Sequence, residues 1–512
     1  MKKRRPPRQH RSLAKFSGGL PGRYARDSGA RREDHYPRPT RQERTRPSNR
    51  YRRLKASVPS RSRIRVASCS DWFAFQIPPT RFATRNRKIS IGECQLKLQD
   101  VNPDIVSRPR GGGILPDILA PLPFMDAGFK SRSIDAVRHL AAAQGPLFKF
   151  ALPFGGEAWL VANHGLSSGL LADPRLSKIS PLRDAAEAGP HRLYRHLLVT
   201  DPPDHMRLRR QIRHALADWT SARIETLARA IIARRLATFD RDEASFDLVA
   251  RIAMPAALEI ACTIVGIPPR DMEKIHVWND MLTRSDLDGE DRASEIAEEI
   301  ERYLAALAET DAIGSGNGAI ATLGRAASAG DLDNGEAMAL AYLLLSAGYE
   351  TTGHLLSSAV WLLVGDRKIW QTIAQDDAVA ARAVEECLRF NPSLELATPR
   401  YAREDLDIAG TAVRKGDLLF IALGAANRDP AVFAAGSAFD CARSGPVHHL
   451  SFGRGPHVCP GAGIARVASR TILQELARHF PKLGLPAGHE PQWVPGLVMR
   501  GLRSLPVVID GE

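Results

Sequence analysis

One short loop near the C-terminal end constrains this chain of 512 residues more than any other feature. Residues 451–461 place a single cysteine among glycines and prolines, and an apolar, helix-like run follows over residues 462–480. Glycine lets the backbone approach a flat cofactor and the sulfur closely. A helix that starts just after a cysteine directs its N-terminal amides at the sulfur, which lowers the pKa of the thiol. The arrangement predicts that Cys459 is a thiolate ligand of iron.

A lone cysteine is more often a small buried hydrophobic residue, so Cys459 by itself would not establish a site. The surrounding pattern, Phe-x-x-Gly-x-His-x-Cys-x-Gly, fixes five of ten positions at a predicted loop-to-helix junction, and this favours the ligand. The five residues are Phe452, Gly455, His457, Cys459 and Gly461.

This segment resembles the haem-binding loop of the cytochrome P450 family, whose cysteine is the axial ligand of the iron of haem b (heme b). The family more often has Arg where His457 stands, and His is a variant found in its bacterial members. The resemblance implies that Cys459 binds the iron. It also implies that the surrounding loop residues Phe452, Gly453, His457 and Gly461 contact the haem.

The cysteines and the apolar runs indicate in which cellular compartment the protein works. None of the six cysteines forms a Cys-x-x-Cys pair, and no disulfide framework is evident, which favours a reducing, cytoplasmic environment. No apolar run approaches the roughly 18 residues that a membrane-spanning helix requires. We therefore expect a soluble protein without a membrane anchor.

The formal net charge of +14 is unevenly distributed. Residues 1–100 hold 27 Lys or Arg and 7 Asp or Glu, a balance of +20, so the remaining residues carry −6. We expect residues 1–112 to form a disordered extension. Three interpretations stay open: a tail for nucleic acid or another anionic surface, an organellar transit peptide, and a stretch upstream of the true start. Scattered prolines disfavour the transit peptide.

Residues 113–512 are expected to form one domain of about 400 residues, mainly α with a minor β portion. The resemblance runs through nearly all of it and implies the cytochrome P450 fold. Periodicity predicts a mainly helical chain as far as about residue 390. The other predicted elements are a helix over 133–143, strands over 147–152 and 157–162 joined by a turn, and short strands within 398–410 and 417–422.

A second motif, residues 201–210, reads Asp-Pro-Pro-Asp-His-Met-Arg-Leu-Arg-Arg. Two prolines after an acidic residue predict a helix start with Asp201 available as its cap. His205 and Arg209 are four residues apart, so they share one helical face and can clamp a carboxylate by charge-assisted hydrogen bonds. A solvated basic face is the alternative that the motif alone leaves open.

In the family that the cysteine loop resembles, this His and Arg bind the haem propionates. The resemblance therefore implies that role for His205 and Arg209, and Arg400 matches a further propionate-binding arginine. Arg207 and Arg210 point elsewhere on the same helix, and we expect them to contact an acidic electron donor.

A third motif lies in a long apolar helix predicted over residues 335–364. Glu350 and Thr351 stand near its centre, where a buried acid is costly unless it is hydrogen-bonded or functional. Gly348 weakens the helix by roughly 1 kcal/mol relative to Ala and leaves space for a small molecule. Thr351 can bond back to a carbonyl in the preceding turn. A Glu-Thr-Thr sequence on a helix is, on its own, more often ordinary surface.

The resemblance implies that this helix crosses the distal face of the haem. Thr351 would then hold oxygen and ordered water, and Glu350 would help to deliver protons. Ala347 and Gly348 would flank the oxygen pocket.

A fourth motif pairs Glu386 with Arg389, three residues apart on a predicted helix. An exposed pair of this kind contributes only about 0–1 kcal/mol, and the spacing is common by chance. The resemblance implies a buried structural pair tied to the segment around Asn427. We treat both residues as part of the core rather than of the chemistry.

The resemblance that these motifs carry implies a monooxygenase that inserts one atom of O2 into a hydrophobic small molecule, with a terpenoid or other secondary metabolite favoured. Fatty-acid or xenobiotic hydroxylation is the alternative, and Glu350–Thr351 argues against a non-catalytic haem-binding sensor. Only residues 1–100 suggest a nucleic-acid partner, and we expect none. Pocket residues are expected within 178–193, 340–344 and 394–398.

Because the chain shows no fused flavin or iron–sulfur segment, we expect electrons from a ferredoxin and its reductase. The docking surface is expected on the side of Cys459, and the arginines expected to line it are Arg207, Arg210, Arg454 and Arg466.

Overall fold

The computed structural model describes residues 120–153, 155–181, 193, 195–240, 243–283, 290–313, 318–443 and 447–510. The basic extension predicted over residues 1–112 lies outside these ranges, and so does the start of the predicted domain. Within them, no helix combines the length and the apolar character needed to cross a bilayer.

Helices dominate the described part of the chain, as predicted. They are α1 (Ala127–Lys130), α2 (Ser133–Gln144), α3 (His164–Leu170), α4 (Asp204–Ala215), α5 (Ser221–Leu236), α6 (Met254–Val265), α7 (Met272–Thr283), α8 (Glu290–Ile313), α9 (Ala319–Ser328), α10 (Asn334–Leu363), α11 (Arg367–Ile373), α12 (Asp377–Phe390), α13 (Leu423–Ala426) and α14 (Ala462–His479).

The β portion is minor and consists of short strands. They are β1 (Ala120–Pro121), β2 (Leu147–Ala151), β3 (Glu157–Val161), β4 (Leu176–Ser177), β5 (Ser245–Asp247), β6 (Arg400–Ala402), β7 (Leu406–Ile408), β8 (Thr411–Val413), β9 (Leu418–Ile421), β10 (Gln492–Trp493), β11 (Leu502–Ser504) and β12 (Pro506–Val508). Six of them form one sheet in the order β1-β2-β3-β9-β6-β4, and the others pair as β10-β11, β12-β5 and β7-β8.

The predicted hairpin shows how the local sequence defines the sheet. β2 and β3 pair antiparallel from Leu147 opposite Val161 to Ala151 opposite Glu157. The turn between them uses Gly155 and Gly156 at φ +97° and +83°, a region that side chains disfavour. β9 then pairs parallel with β3 and antiparallel with β6, which brings Arg400 into the main sheet.

The long helix α10 organises the helical part. It begins with a capping box, in which the Asp333 carboxylate accepts from the Glu336 amide and the Glu336 carboxylate accepts from the Asp333 amide. α6 packs so closely along α10 that a Cβ at Gly353 would lie only 2.3 Å from Sδ of Met254. Residues of α10 contribute to two separate buried apolar clusters, so the helix connects the two halves of the core.

One buried group on α10 should make folding sensitive to acid. His354 packs against the backbone of Gly501, where a Cβ would lie 1.9 Å from the His354 Nδ1 atom. Burial, and secondarily the charge of Lys130, lowers the pKa of His354 to about 4. The imidazole is therefore neutral in the folded protein at pH values where it would be protonated in the unfolded chain.

We predict that His354→Gln removes part of the acid sensitivity of folding. Between the ordinary histidine pKa of about 6.5 and the folded value of about 4, the unfolded state binds more protons. The wild-type free energy of unfolding should fall by up to about 1.4 kcal/mol per pH unit from this group. Urea unfolding from pH 7 to 4.5 should show the variant gaining on wild type as pH falls. A pH-independent difference would contradict this, and the exposed His139→Gln is the control.

Candidate active site

The cysteine loop closes on its own backbone just before α14. The Cys459 amide donates to the Phe452 carbonyl over 2.8 Å, across a short 3₁₀ turn, Gly455–His457. Gly455 adopts φ +74°, and a Cβ there would lie 2.8 Å from the backbone of Ala172. Glycine is therefore needed at 455 both for the backbone conformation and for close packing. α14 begins at Ala462, as the sequence predicts.

Side chains of the core hold this loop in place. The Asn427 side chain accepts from the Leu450 amide at 2.7 Å and donates to the Ser451 hydroxyl at 2.8 Å. Arg389 donates to the Asn427 carbonyl at 2.9 Å and pairs through two hydrogen bonds with Glu386. Glu386 and Arg389 are both buried. The structure thus places this pair as a support of the cysteine loop.

The Cys459 residue is accessible to solvent, yet the surrounding protein desolvates its thiol and thereby raises the pKa of that thiol. The Gly461 amide and the charges of Arg209 and Arg466 act in the opposite direction. We expected the start of α14 to give a net decrease in pKa. That expectation is wrong for the protein alone, because desolvation outweighs the amide and the two guanidinium groups. A cation bound to the sulfur deprotonates it outright.

The predicted propionate ligands lie together. His205, on α4, is fully buried, and its ring centroid is 4.1 Å from that of His457 in the cysteine loop. Arg209 is one turn further along α4, close enough to Cys459 to influence its ionisation. Arg400 is buried on β6 and donates to the Thr398 carbonyl at 3.0 Å. Three elements distant in sequence, α4, β6 and the cysteine loop, therefore bring imidazole and guanidinium groups to one place.

Several polar atoms of these groups have no hydrogen-bond partner within the described residues. Both ring nitrogens of His205, Nη1 of Arg209 and Nδ1 of His457 are buried there without a hydrogen-bond partner. Burial, then the charge of Arg209, lowers the pKa of His205. Burial and then Lys178 lower the pKa of His457 to about 2, and burial lowers that of Arg400 to about 10. Such a cluster is stabilised by a buried group with carboxylates.

Lys178 is a further cation of this cluster that the sequence motifs did not single out. Its ammonium donates to Thr398 Oγ1 and to the Pro399 carbonyl, each at 2.6 Å. Burial, then the charge of Arg400, holds the pKa of Lys178 well below its ordinary value. The only sequence signal was its position at the start of the 178–193 segment, most of which lies outside the described residues.

The prediction that Asp201 caps α4 is wrong. The helix begins at Asp204, and its first turn receives no side-chain cap among the described residues. The Asp201 carboxylate instead accepts from the Ser177 hydroxyl at 2.5 Å and the Lys178 amide at 2.9 Å, and it pairs with Arg403 at 2.7 Å. The acid therefore ties the start of α4 to β4, next to the cationic cluster.

The centre of α10 has one accessible stripe. Between residues 337 and 360 every residue is buried except four, which are spaced at i, i+3, i+4 and i+7 and so share one helical face. The four are Leu344, Ala347, Gly348 and Thr351. The predicted pair of residues beside the oxygen pocket, Ala347 and Gly348, thus opens onto accessible space together with Thr351.

Thr351 and Glu350 have different surroundings. The Thr351 hydroxyl donates to the Ala347 carbonyl at 2.7 Å, which is the back-bond predicted from the sequence. Its oxygen keeps acceptor capacity toward the accessible stripe. Glu350 is buried beside it. The Thr351 carbonyl also accepts from the Ser393 hydroxyl at 2.7 Å, a contact that no sequence pattern indicated.

Comparison with known proteins decides what this arrangement belongs to. The family model described as "Cytochrome P450" matches residues 319–500. The chain is 30% identical over 377 residues to "Cytochrome P450 monooxygenase PikC" of Streptomyces venezuelae, covering 71% of this chain and 88% of that protein. It is 32% identical to "Mycinamicin IV hydroxylase/epoxidase" of Micromonospora griseorubida, covering 71% and 92%. This chain belongs to the cytochrome P450 family.

The solved structures agree with this assignment. The Bacillus subtilis cytochrome P450 PksS superposes with a TM-score of 0.69 at 28% identity, over 76% of this chain and 99% of that one. The fold is therefore the cytochrome P450 fold, and the protein is an oxygen-incorporating oxidoreductase with haem bound through a cysteine thiolate. The buried ring nitrogens of His205, Nδ1 of His457 and Nη1 of Arg209, which lack hydrogen-bond partners among the described residues, fit the propionates of haem. Cys459 lies close enough to Arg209 for the two to influence each other's ionisation.

Proposed function

We propose that this cytochrome P450 hydroxylates or epoxidises a hydrophobic secondary metabolite with electrons from an external ferredoxin. The observation that carries the proposal is the accessible stripe on α10. There, apolar Leu344, Ala347 and Gly348 lie on the same face as the hydroxyl of Thr351. An apolar surface with one polar group at its end suits a substrate that is held by shape and oxidised at one position.

Cys459, His205, Arg209 and Arg400 hold the cofactor in this proposal. The Cys459 sulfur would bind the iron, and the His205 imidazole with the Arg209 and Arg400 guanidinium groups would donate to the propionates. Bound haem supplies the activation of O2, which a thiolate ligand favours by donating electron density.

In this proposal Thr351 and Glu350 deliver protons to the oxygen side of the site. The Thr351 hydroxyl proton is committed to the Ala347 carbonyl, so its oxygen accepts a hydrogen bond from a water molecule and orients it. Glu350, buried next to it, exchanges protons with that water.

The substrate class rests on the accessible residues and on the names of the relatives. Leu394 and Thr398, which belong to a segment predicted to line the pocket, are partly accessible, whereas Glu395 between them is buried and ion-paired. The lining is thus less charged than the sequence of that segment suggests. PksS is named for a polyketide synthase, so we place polyketides before terpenoids and fatty acids as substrates.

We propose a docking surface for the electron donor that uses two of the four arginines named from the sequence, Arg210 and Arg454. Arg207 forms a bidentate pair with Glu336, and Arg466 forms one with Glu385, so internal carboxylates already compensate both charges. Arg210 and Arg454 are exposed. Two large apolar side chains, Met206 and Val458, are 66% and 37% exposed on α4 and the cysteine loop. We assign the ferredoxin contact to these four residues.

A spectral titration tests the substrate class. Displacement of water from the iron by a substrate shifts the haem absorption, so the ferric enzyme should respond to a macrocyclic polyketide at lower concentration than to a diterpene or to myristic acid. Addition of ferredoxin, its reductase and NADPH should then give a product heavier by one oxygen atom. Tighter binding and turnover of the fatty acid would establish the alternative. A spectral shift without any product would favour a haem-binding sensor.

Replacement of Thr351 by Ala tests the proton-handling role. We predict that haem and substrate still bind but that product per NADPH falls by roughly tenfold as electrons go to peroxide. Thr351→Ser should retain most of the coupling because it keeps the hydroxyl. Thr352→Ala is the matched control, since Thr352 is the neighbouring threonine but is buried off the stripe. Normal coupling in Thr351→Ala would contradict the assignment.

A further inference from the structure

The face of α10 that carries Thr351, His354 and Ser358 contacts a second segment of the chain. Ser393 donates to the Thr351 carbonyl at 2.7 Å, and Asn391 donates to the Ser358 hydroxyl at 2.9 Å. Thr351 and Ser358 are seven residues apart, which is two helical turns, so the two bonds lie on one face. Between them, the ring of His354 packs on Gly501.

The segment that carries Ser393 is itself rigidly anchored. The Arg500 amide donates to the Ser393 carbonyl at 2.8 Å, and its guanidinium donates to Asn391 at 2.6 Å. Glu395 pairs with Lys130 at 2.6 Å and with Arg500 at 3.4 Å. All five side chains are buried. Lys130 comes from α1 and Arg500 from near the C-terminal end, so three distant parts of the chain fix the position of Ser393.

The turn of α10 between residues 347 and 351 therefore carries two extra hydrogen bonds. The Thr351 hydroxyl binds the Ala347 carbonyl at one end, and the Ser393 hydroxyl binds the Thr351 carbonyl at the other. A carbonyl oxygen has two lone pairs, so it can accept a side-chain hydroxyl in addition to a helical amide. Both bonds act on the residue whose hydroxyl faces the accessible stripe.

We infer that Ser393 is a positioning residue for Thr351: its hydroxyl fixes the turn of α10 and thereby the direction of the Thr351 hydroxyl. The inference rests on the proposed role of Thr351 in proton handling. Ser393 itself touches neither substrate nor cofactor in this account. Its effect reaches the chemistry only through the backbone of Thr351.

Hydrogen–deuterium exchange of the ferric holoenzyme measures this positioning without turnover. In Ser393→Ala, amides in the peptide covering residues 350–356 should exchange about fivefold faster, the factor expected for loss of one buried hydrogen bond. Ser393→Thr keeps a hydroxyl at this position, so its amides should exchange at the wild-type rate. Ser358→Ala removes the other bond on the same face and should leave the exchange of residues 350–353 unchanged. If Ser393→Ala fails to bind haem, Ser393→Cys, which keeps the side-chain volume, replaces it.

Coupling of NADPH to product is the second measurement, with Thr351→Ala as the reference. We expect Ser393→Ala to release a fraction of peroxide between those of wild type and Thr351→Ala, and Ser393→Thr to return to wild type. If Thr351→Ala is uncoupled while Ser393→Ala matches wild type in coupling and exchange, the inference about Ser393 is wrong and the role of Thr351 stands. If Thr351→Ala remains coupled, the proposed role of Thr351 fails, and the catalytic effect assigned to Ser393 fails with it.

Discussion

The site depends on a group of buried cations and imidazoles that lack an anion of their own. His205 and Arg209 come from α4, and the His205 ring nitrogens and Nη1 of Arg209 are buried without a hydrogen-bond partner in the described part of the chain. Arg400 comes from β6, where burial lowers the pKa of its guanidinium to about 10. Burial of charge without compensation is among the most costly features a fold can contain. In the proposed function the propionates of haem would supply the missing charges, and binding of the cofactor would then stabilise this region.

The accessible stripe of α10 is supported by polar contacts behind the helix. α10 is buried almost throughout its central part, and four small or apolar positions on one face remain accessible. Thr351 ends this stripe, and its backbone is held from behind by Ser393, which the buried Lys130–Glu395–Arg500 cluster anchors in turn. A reactive face therefore rests on a rigid polar layer. Such a layer limits the freedom of the Thr351 hydroxyl, which we propose orients water.

Much of this could be predicted from the sequence, for identifiable reasons. The limits of α10, α14 and the β2–β3 hairpin followed from periodicity and turn residues, and the grouping of His205, Arg209, Arg400 and His457 followed from the family resemblance. Contacts between distant segments could not be predicted. No local pattern marks Lys178, Ser393 or the Arg207–Glu336 pair, because their hydrogen-bond partners are 220, 42 and 129 residues away in the sequence. Asp201 was misassigned as a cap because Ser177, Lys178 and Arg403 bind its carboxylate first.

The most direct test of this account compares haem with its dimethyl ester, in which both propionate charges are removed, for binding to the apoprotein. The ester should bind at least about thirtyfold more weakly, because loss of one partner from a buried charge pair is expected to cost about 2 kcal/mol or more. In the double variant His205→Leu, Arg209→Leu the difference between the two haems should shrink. Equal affinity of the wild-type apoprotein for haem and its ester would contradict the claim that these buried groups are built to receive the propionates.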